Sequence, residues 1–213
     1  MAKNGKYKWW LLGSVCILFF LLFGIEQQNQ KVQALQREVA GQVIRLHVMA
    51  NSDSKTDQRI KCEIRDKVVG IMENTLQGAD NKEEAEQIIK GKLKQIEKLT
   101  NQVLKQEKCG QKAKVRLTTV EFPVKEYGDT VFPAGEYETV QIQIGAAKGG
   151  NWWCVMYPGL CLVDESVAIM PSDSKKQLQE HLTEEDYAQM TQDTTKVKYT
   201  FRLVELWEKW KPW

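Results

Sequence analysis

The stretch IRLHVMANSDSKTDQRIKCEIRDKVV, residues 44–69, changes its hydrophobic period near its middle. In the first part, apolar residues alternate along Ile44, Leu46 and Val48, which is typical of a strand. In the second part, apolar residues recur every three or four positions from Ile60 onward, which predicts an amphipathic helix. The polar segment 51–54 separates the two. The stretch therefore predicts a strand, a tight turn and a helix, with several reactive side-chain types gathered at the turn.

The polar turn, with His47 just upstream, allows two interpretations. A catalytic interpretation makes Ser52 the nucleophile, His47 the base and Asp53 the orienting group, but the spacing matches no nucleophile elbow. A structural interpretation needs only a turn, in which asparagine and aspartate side chains bond nearby amides, and the capping box formed by Ser54 and Asp57. Because it explains the whole polar segment, we expect this turn to bind a partner rather than to catalyse.

The N-terminal part of the chain predicts a membrane segment. Trp9–Ile25 is uncharged and apolar and follows several lysines, and as a helix it would reach roughly 25 Å. The basic flank is expected to stay in the cytoplasm, which makes the rest of the chain extracytoplasmic. We interpret residues 1–25 as a signal anchor or signal peptide, 26–41 as a juxtamembrane spacer and 42–213 as an extracytoplasmic domain. Retention is favoured, because the nearest cleavage motif, VQA at 32–34, lies well past the apolar run.

The charge of the extracytoplasmic part is nearly balanced. The formal net charge of +2 includes the leader residues Lys3, Lys6 and Lys8, and without them it becomes about −1. A near-neutral domain argues against a nucleic-acid partner.

Four of the five cysteines lie outside the apolar segment, at Cys62, Cys109, Cys154 and Cys161. An even number in an oxidising compartment predicts disulfides. The short spacing favours a bond between Cys154 and Cys161, and a second bond between Cys62 and Cys109 remains open. The spacing does not fit a structural zinc site, so we expect no metal and no cofactor.

The remaining hydrophobic patterns predict an α+β domain. A second amphipathic helix is expected to begin at Asp80 or Asn81 and to stop at Gly110, and polar residues 171–192 suit two short helices. Period-two segments predict strands at 113–124, 137–145, 151–161 and 197–207. We expect a mainly antiparallel sheet with two amphipathic helices packed on it, preceded by the membrane or signal segment.

Tryptophans form two patches. Trp152 and Trp153 are neighbours on a predicted strand and therefore point to opposite faces, so that one can enter the core and the other can stay near the surface. The alternative is that both are covered. Trp207, Trp210 and Trp213 recur every three residues, which suits either core closure or an interface.

Three blocks of sequence carry a resemblance to a known family. They are IRLHVMANSDSKTDQ…KCEIRDKVV, GEYETVQIQIG…GGNWWCVMYPGLC and FRLVELWEKW, in this order along the chain. Together they resemble the stage II sporulation protein R family over most of the chain after the leader. Gly159 departs from the family's pattern, which has a proline there, and this affects the local turn only.

The resemblance implies a signalling protein of endospore formation, made in the forespore and exported across its membrane into the intermembrane space. It implies a partner, a membrane-embedded aspartic protease that processes the precursor of a mother-cell sigma factor, and it implies no enzymatic activity and no small-molecule substrate. The alternative from another class is a cell-envelope hydrolase or wall-binding module. Because loops at strand ends concentrate function, we expect the partner to contact His47, Asn51, Ser52, Asp53, Trp152 and Trp153.

Overall fold

A computed structural model describes residues 4–159, 161 and 172–191. Its elements, in chain order, are α1 (Asn4–Gln42), β1 (Ile44–Met49), α2 (Lys55–Leu76), α3 (Lys82–Gln106), β2 (Ala113–Phe122), β3 (Lys125–Tyr127), β4 (Thr130–Phe132), β5 (Gly135–Ile144), β6 (Asn151–Tyr157), α4 (Ser172–His181) and α5 (Glu184–Thr191). The α+β class predicted from the sequence is confirmed. The strand predicted at 197–207 and the three C-terminal tryptophans lie outside the described residues.

The main sheet has the strand order β2-β5-β1-β6. β1 runs parallel to β5, with Leu46 opposite Val140, and antiparallel to β6, with Leu46 opposite Cys154. β2 and β5 are antiparallel along their whole length. The sheet is therefore mixed but mostly antiparallel, and the first part of the quoted stretch forms one of its two central strands.

One face of the sheet packs against α2 and α3, as the helical stripes predict. Ile44, Leu46 and Val48 of β1 are fully buried there, with Ile64 of α2 and Ile89 of α3 among their neighbours. We call this cluster the first core. Its apolar contacts are the main source of stability on this side, because burial of each such side chain contributes about 1.5–3 kcal/mol.

The other face of the sheet is also covered. Val43, Phe122, Tyr137 and Val155 are buried in a second cluster, the second core. This core is closed by the end of α1, by α4 and α5, and by β3 and β4, which pair as a small hairpin. No strand was predicted between 124 and 137, and β3 and β4 were missed because turn residues interrupt them.

α1 is one continuous helix that leads from the apolar segment onto the sheet. The part Leu12–Gln42 is long and apolar enough to cross a membrane, a property that a signal sequence shares. Its last turns dock on the domain: the Gln36 side chain donates to the Glu136 carbonyl (2.7 Å), Lys82 Nζ donates to the Ala40 carbonyl (2.8 Å), and Val39 is fully buried. The predicted spacer is therefore helical and its end belongs to the second core, while the division into segments 1–25, 26–41 and 42–213 stays a prediction.

The helix boundaries follow local capping chemistry. Half of the predicted capping box is present: the Asp57 amide donates to Ser54 Oγ (3.1 Å) at the start of α2, but the Ser54 amide donates to Ser52 Oγ (3.2 Å) and not to the Asp57 side chain. The predicted end of α3 at Gly110 was wrong, because the helix ends at Gln106. There Lys108 adopts a positive φ of 55°, and the Cys109 amide donates to the Leu104 carbonyl (2.8 Å) in a Schellman motif, a position where glycine is usual.

Candidate functional site

The polar turn 51–54 is bonded to a second turn, 145–150, which links β5 to β6. Asn51 Oδ1 accepts from the Ala146 amide (3.0 Å), and Asp53 Oδ1 accepts from the Gly150 amide (2.6 Å). The Asn51 carbonyl also accepts from the Lys148 amide (3.2 Å). We call these two turns, together with Asp57, the turn latch, because side chains of the first turn satisfy backbone donors of the second.

Asp57 is the centre of the latch. Its Oδ2 accepts from Ser52 Oγ (2.5 Å) and from Asn51 Nδ2 (2.9 Å). These bonds hold the pKa of Asp57 below its usual value, and the bond from Ser52 is the largest cause. The charged carboxylate therefore orders both neighbouring side chains.

The three residues of the catalytic interpretation are not brought together. Ser52 donates to Asp57, Asp53 accepts from the Gly150 amide, and the His47 ring bonds to Asn151 Oδ1 (3.1 Å). Sequence reasoning identified Asp57 only as a capping residue and did not identify Asn151. The geometry supports a structural role for the polar turn, with its remaining exposed edge available for contacts.

Glycines of the second turn permit its close approach to the first. A Cβ at Gly149 would lie 2.1 Å from the Ser52 carbonyl oxygen, and a Cβ at Gly145, which has a φ of +56°, would lie 2.3 Å from Asn51 Oδ1. Only glycine has both the space and the conformational freedom needed here. The glycine-rich composition of 145–150 was the signal available in the sequence.

Trp153 stacks on His47 in the second core. The ring centroids are 3.7 Å apart with an interplanar angle of 10°, and Phe122 packs edge-on against the Trp153 ring at 4.5 Å. His47 is 4% exposed, so its ring is buried. Burial lowers the pKa of His47, an effect that the hydrogen bond with Asn151 partly offsets.

The two tryptophans lie on opposite faces of β6, as predicted. Trp152 enters the first core at 7% exposure, with the Arg65 guanidinium 3.8 Å above its ring, and Trp153 is half-buried on the other side. Neither tryptophan ring is as exposed as expected for a residue that anchors a partner. Only the outer part of Trp153 is available to a partner.

Arg45 is a buried residue that sequence reasoning did not identify as important. It is fully buried, and its guanidinium lies over the Phe122 ring (4.0 Å) and near Tyr137 (4.9 Å), while Nη2 donates to the Tyr127 hydroxyl (3.0 Å). Its Nε and Nη1 have no hydrogen-bond partner in the described part of the chain. Burial lowers the pKa of Arg45.

Cys154 and Cys161 form a disulfide, with their Cα atoms 5.1 Å apart, which is the pairing predicted from their short spacing. Cys62 and Cys109 are unbonded, so the open possibility of a second bond is not realised here. Among residues 4–159, 161 and 172–191, no three metal-ligating side chains form a group suited to hold an ion.

Together these features define a class of protein. It is an α+β domain that follows an apolar helix, and its clustered polar residues form hydrogen bonds between one turn and another. The chain matches the model of the family described as stage II sporulation protein R over residues 40–167. It is also 38% identical over 159 residues to the stage II sporulation protein R of Bacillus subtilis strain 168, which covers 71% of each chain. The chain therefore belongs to the stage II sporulation protein R family, and its role lies in sporulation. No solved structure matches it.

Proposed function

We propose that this chain is an exported signalling protein that activates a membrane-embedded aspartic protease, which then processes the precursor of a sigma factor. It acts in the space between the forespore and mother-cell membranes. Membership of the stage II sporulation protein R family supports the general role. The apolar part of α1 supports export, because its length and composition fit a signal or membrane anchor.

The bonding of the turn latch is the observation that favours a ligand over an enzyme. A catalytic serine needs a base that can take its proton. Ser52 instead donates to Asp57, whose lowered pKa makes it a poor base near neutral pH, and His47 is held by Asn151 on the far side of β1 from the first core. The polar residues therefore fix the conformation of a surface.

Among the residues expected to contact the partner, those that are accessible lie at or near the turn latch. Asp53 is exposed, and Asn51, Ser52 and Trp153 are half-buried. His47 and Trp152 lie beneath this surface and support it from inside. A rigid turn beside a partly exposed tryptophan is suited to partner binding, because buried aromatic anchors supply much of the affinity of protein interfaces.

Co-expression in a non-sporulating host tests the proposal. The full chain is produced with the protease and the sigma factor precursor, and precursor cleavage is followed by immunoblot. We expect cleavage only when this chain is present. Cleavage that is independent of the chain, or absent in its presence, would contradict the proposal.

A set of variants distinguishes a ligand from a hydrolase. Asp53→Asn and Trp153→Ala should reduce both binding to the protease and precursor cleavage, while folding is verified by circular dichroism. Val124→Ala is the matched control, since Val124 is an apolar residue with 54% exposure outside the latch. If Ser52→Ala or His47→Ala instead folds and binds normally but abolishes activity while Trp153→Ala is fully active, a cell-envelope hydrolase becomes the better explanation.

A further inference from the structure

Three turns meet at one end of the main sheet. The Gly145 amide donates to the Lys112 carbonyl (2.9 Å), which joins the turn 107–112 to the turn 145–150. The turn 145–150 is also hydrogen-bonded to the polar turn 51–54. The end of α3, the start of α2 and the β5–β6 connection therefore form a single surface.

This surface lies at the end of the sheet that is remote from the apolar segment. Gln36 of α1 bonds to Glu136 at the start of β5, and Lys82 bonds both to Ala40 of α1 and to Glu138 of β5. The end of α1 therefore runs in the same direction as β5. The apolar part of α1 lies beyond the N-terminal end of that strand. The turns lie at the opposite end of β5, about 30 Å further along the sheet.

Exposed lysines surround the three turns. They are Lys55, Lys105, Lys108, Lys112, Lys114 and Lys148, and we call them the lysine rim. Within the described part of the chain none of them forms an ion pair, whereas Lys67, Lys82, Lys90 and Lys175 each pair with a carboxylate.

The carboxylates near this end do not neutralise the rim. Asp53, Asp57 and Glu97 accept hydrogen bonds from amides or polar side chains of the fold, and Glu107 pairs with Arg59. Asp53, Asp57 and Glu97 keep their negative charges, because these donors are neutral, but the six rim lysines outnumber the three carboxylates. A near-neutral domain therefore carries a local positive field at the end opposite its apolar helix, a feature that total charge does not reveal.

We propose that the lysine rim binds the anionic headgroups of a lipid surface opposite the membrane that holds α1. Protein interfaces are enriched in arginine and aromatic residues and depleted in lysine, and the nearby guanidiniums of Arg59 and Arg116 already bond Glu107 and Gln143. Clustered, flexible lysines are typical of adsorption to acidic phospholipids, at about 1 kcal/mol for each lysine. The chain is thereby suited to bridge two membranes, an inference that rests on the location between two membranes proposed above.

A vesicle docking assay with the full chain tests this inference. Proteoliposomes of phosphatidylcholine carry the chain through α1, and acceptor vesicles contain either phosphatidylcholine alone or a quarter phosphatidylglycerol. We expect docking, measured by energy transfer between labelled lipids, only with phosphatidylglycerol. Docking should weaken as salt rises, because the Debye length falls from about 10 Å at 0.1 M to about 3 Å at 1 M.

Two variants with equal loss of charge locate the surface. Lys112→Gln/Lys114→Gln/Lys148→Gln should weaken docking by roughly two orders of magnitude, with folding verified by circular dichroism. The control Lys90→Gln/Lys94→Gln/Lys125→Gln changes lysines away from the rim and should dock as the wild type does. Equal docking to both vesicle types, or an equal loss in both variants, would overturn the proposal. So would retention of the chain on immobilised polyglutamate without docking to phosphatidylglycerol, since that result would assign the rim to an acidic protein.

Discussion

At the scale of single residues, Arg45 is a charge buried among aromatic rings. Its contacts with Phe122 and Tyr137 and its bond to Tyr127 repay part of the cost of removing the guanidinium from water. Replacing buried charged groups by apolar side chains of similar volume is often neutral or stabilising. We therefore expect Arg45→Met to leave the free energy of unfolding unchanged or to raise it by about 1–2 kcal/mol, as measured by urea denaturation.

Arg45→Ala is the matched comparison for that prediction. It removes the charge but also leaves a cavity, and it should lower the free energy of unfolding by about 2–4 kcal/mol. If Arg45→Met is instead destabilising by more than about 3 kcal/mol, the guanidinium is paired with a carboxylate, because breaking a buried pair leaves its partner charge uncompensated.

The lowered pKa of His47 predicts that the stability of the folded chain depends on pH. Burial places its pKa in the folded chain below the ordinary value of about 6.5. As pH falls below that value, the unfolded chain takes up a proton first, so the free energy of unfolding decreases until the lower pKa of the folded chain is passed. The side chains that pack on the ring, Trp153, Phe122 and Asn151, carry no charge that would reverse this sign.

His47→Gln should therefore flatten the fall in stability between pH 7 and pH 5. Denaturation midpoints at several pH values, measured for the wild type and for His47→Gln, provide the comparison. All other titrating groups contribute to both proteins, so the difference in slope belongs to His47. Identical slopes would show that the histidine titrates as freely in the folded chain as in the unfolded one.

At the scale of elements, the close approach of the two turns depends on Gly149. A Cβ there would overlap the backbone oxygen of Ser52, which cannot rotate away as a flexible side chain would. We expect Gly149→Ala to lower the free energy of unfolding by about 2 kcal/mol or more, as overpacking commonly does. Gly91→Ala in α3 is the control, since its Cβ meets nothing within 4 Å, and it should stabilise the chain by about 0.5–1 kcal/mol. Equal effects at both positions would mean that the turns are free to separate.

The disulfide at the end of β6 gives a second prediction at this scale. Cys154 and Cys161 close a short loop, so replacing both by alanine should cost about 2–3 kcal/mol through the entropy of the unfolded chain. Peptide mass mapping of the non-reduced, exported chain should find these two residues linked. Free thiols at both positions would contradict the assignment, and unlinked Cys62 serves as an internal reference for alkylation.

At the scale of the whole molecule, the elements with strong periodicity were predictable and the contacts between distant elements were not. The spacing of apolar residues predicted α2 and β1, because an element that buries one face repeats its apolar residues with the period of a helix or of a strand. The second core could not be predicted, since it gathers Val39, Phe122 and Leu178 from distant parts of the chain. Likewise the residue types of the turn latch were visible, but their bonds to 145–150 depend on how β1 and β5 pair.

The docking of α1 leads to a prediction about the size of the folding unit. Residues 12–34 are exposed, whereas Leu35 packs against the second core and Val39 is fully buried in it. A chain that begins at Leu35 should therefore keep the stability of the domain, while a chain that begins at Val43 should lose about 3–5 kcal/mol through the lost burial of these two side chains and the exposure of their neighbours. Urea denaturation of the two truncated chains, both monitored by tryptophan fluorescence, measures the difference. Equal midpoints would show that the end of α1 is only a spacer, and that the second core is closed without it.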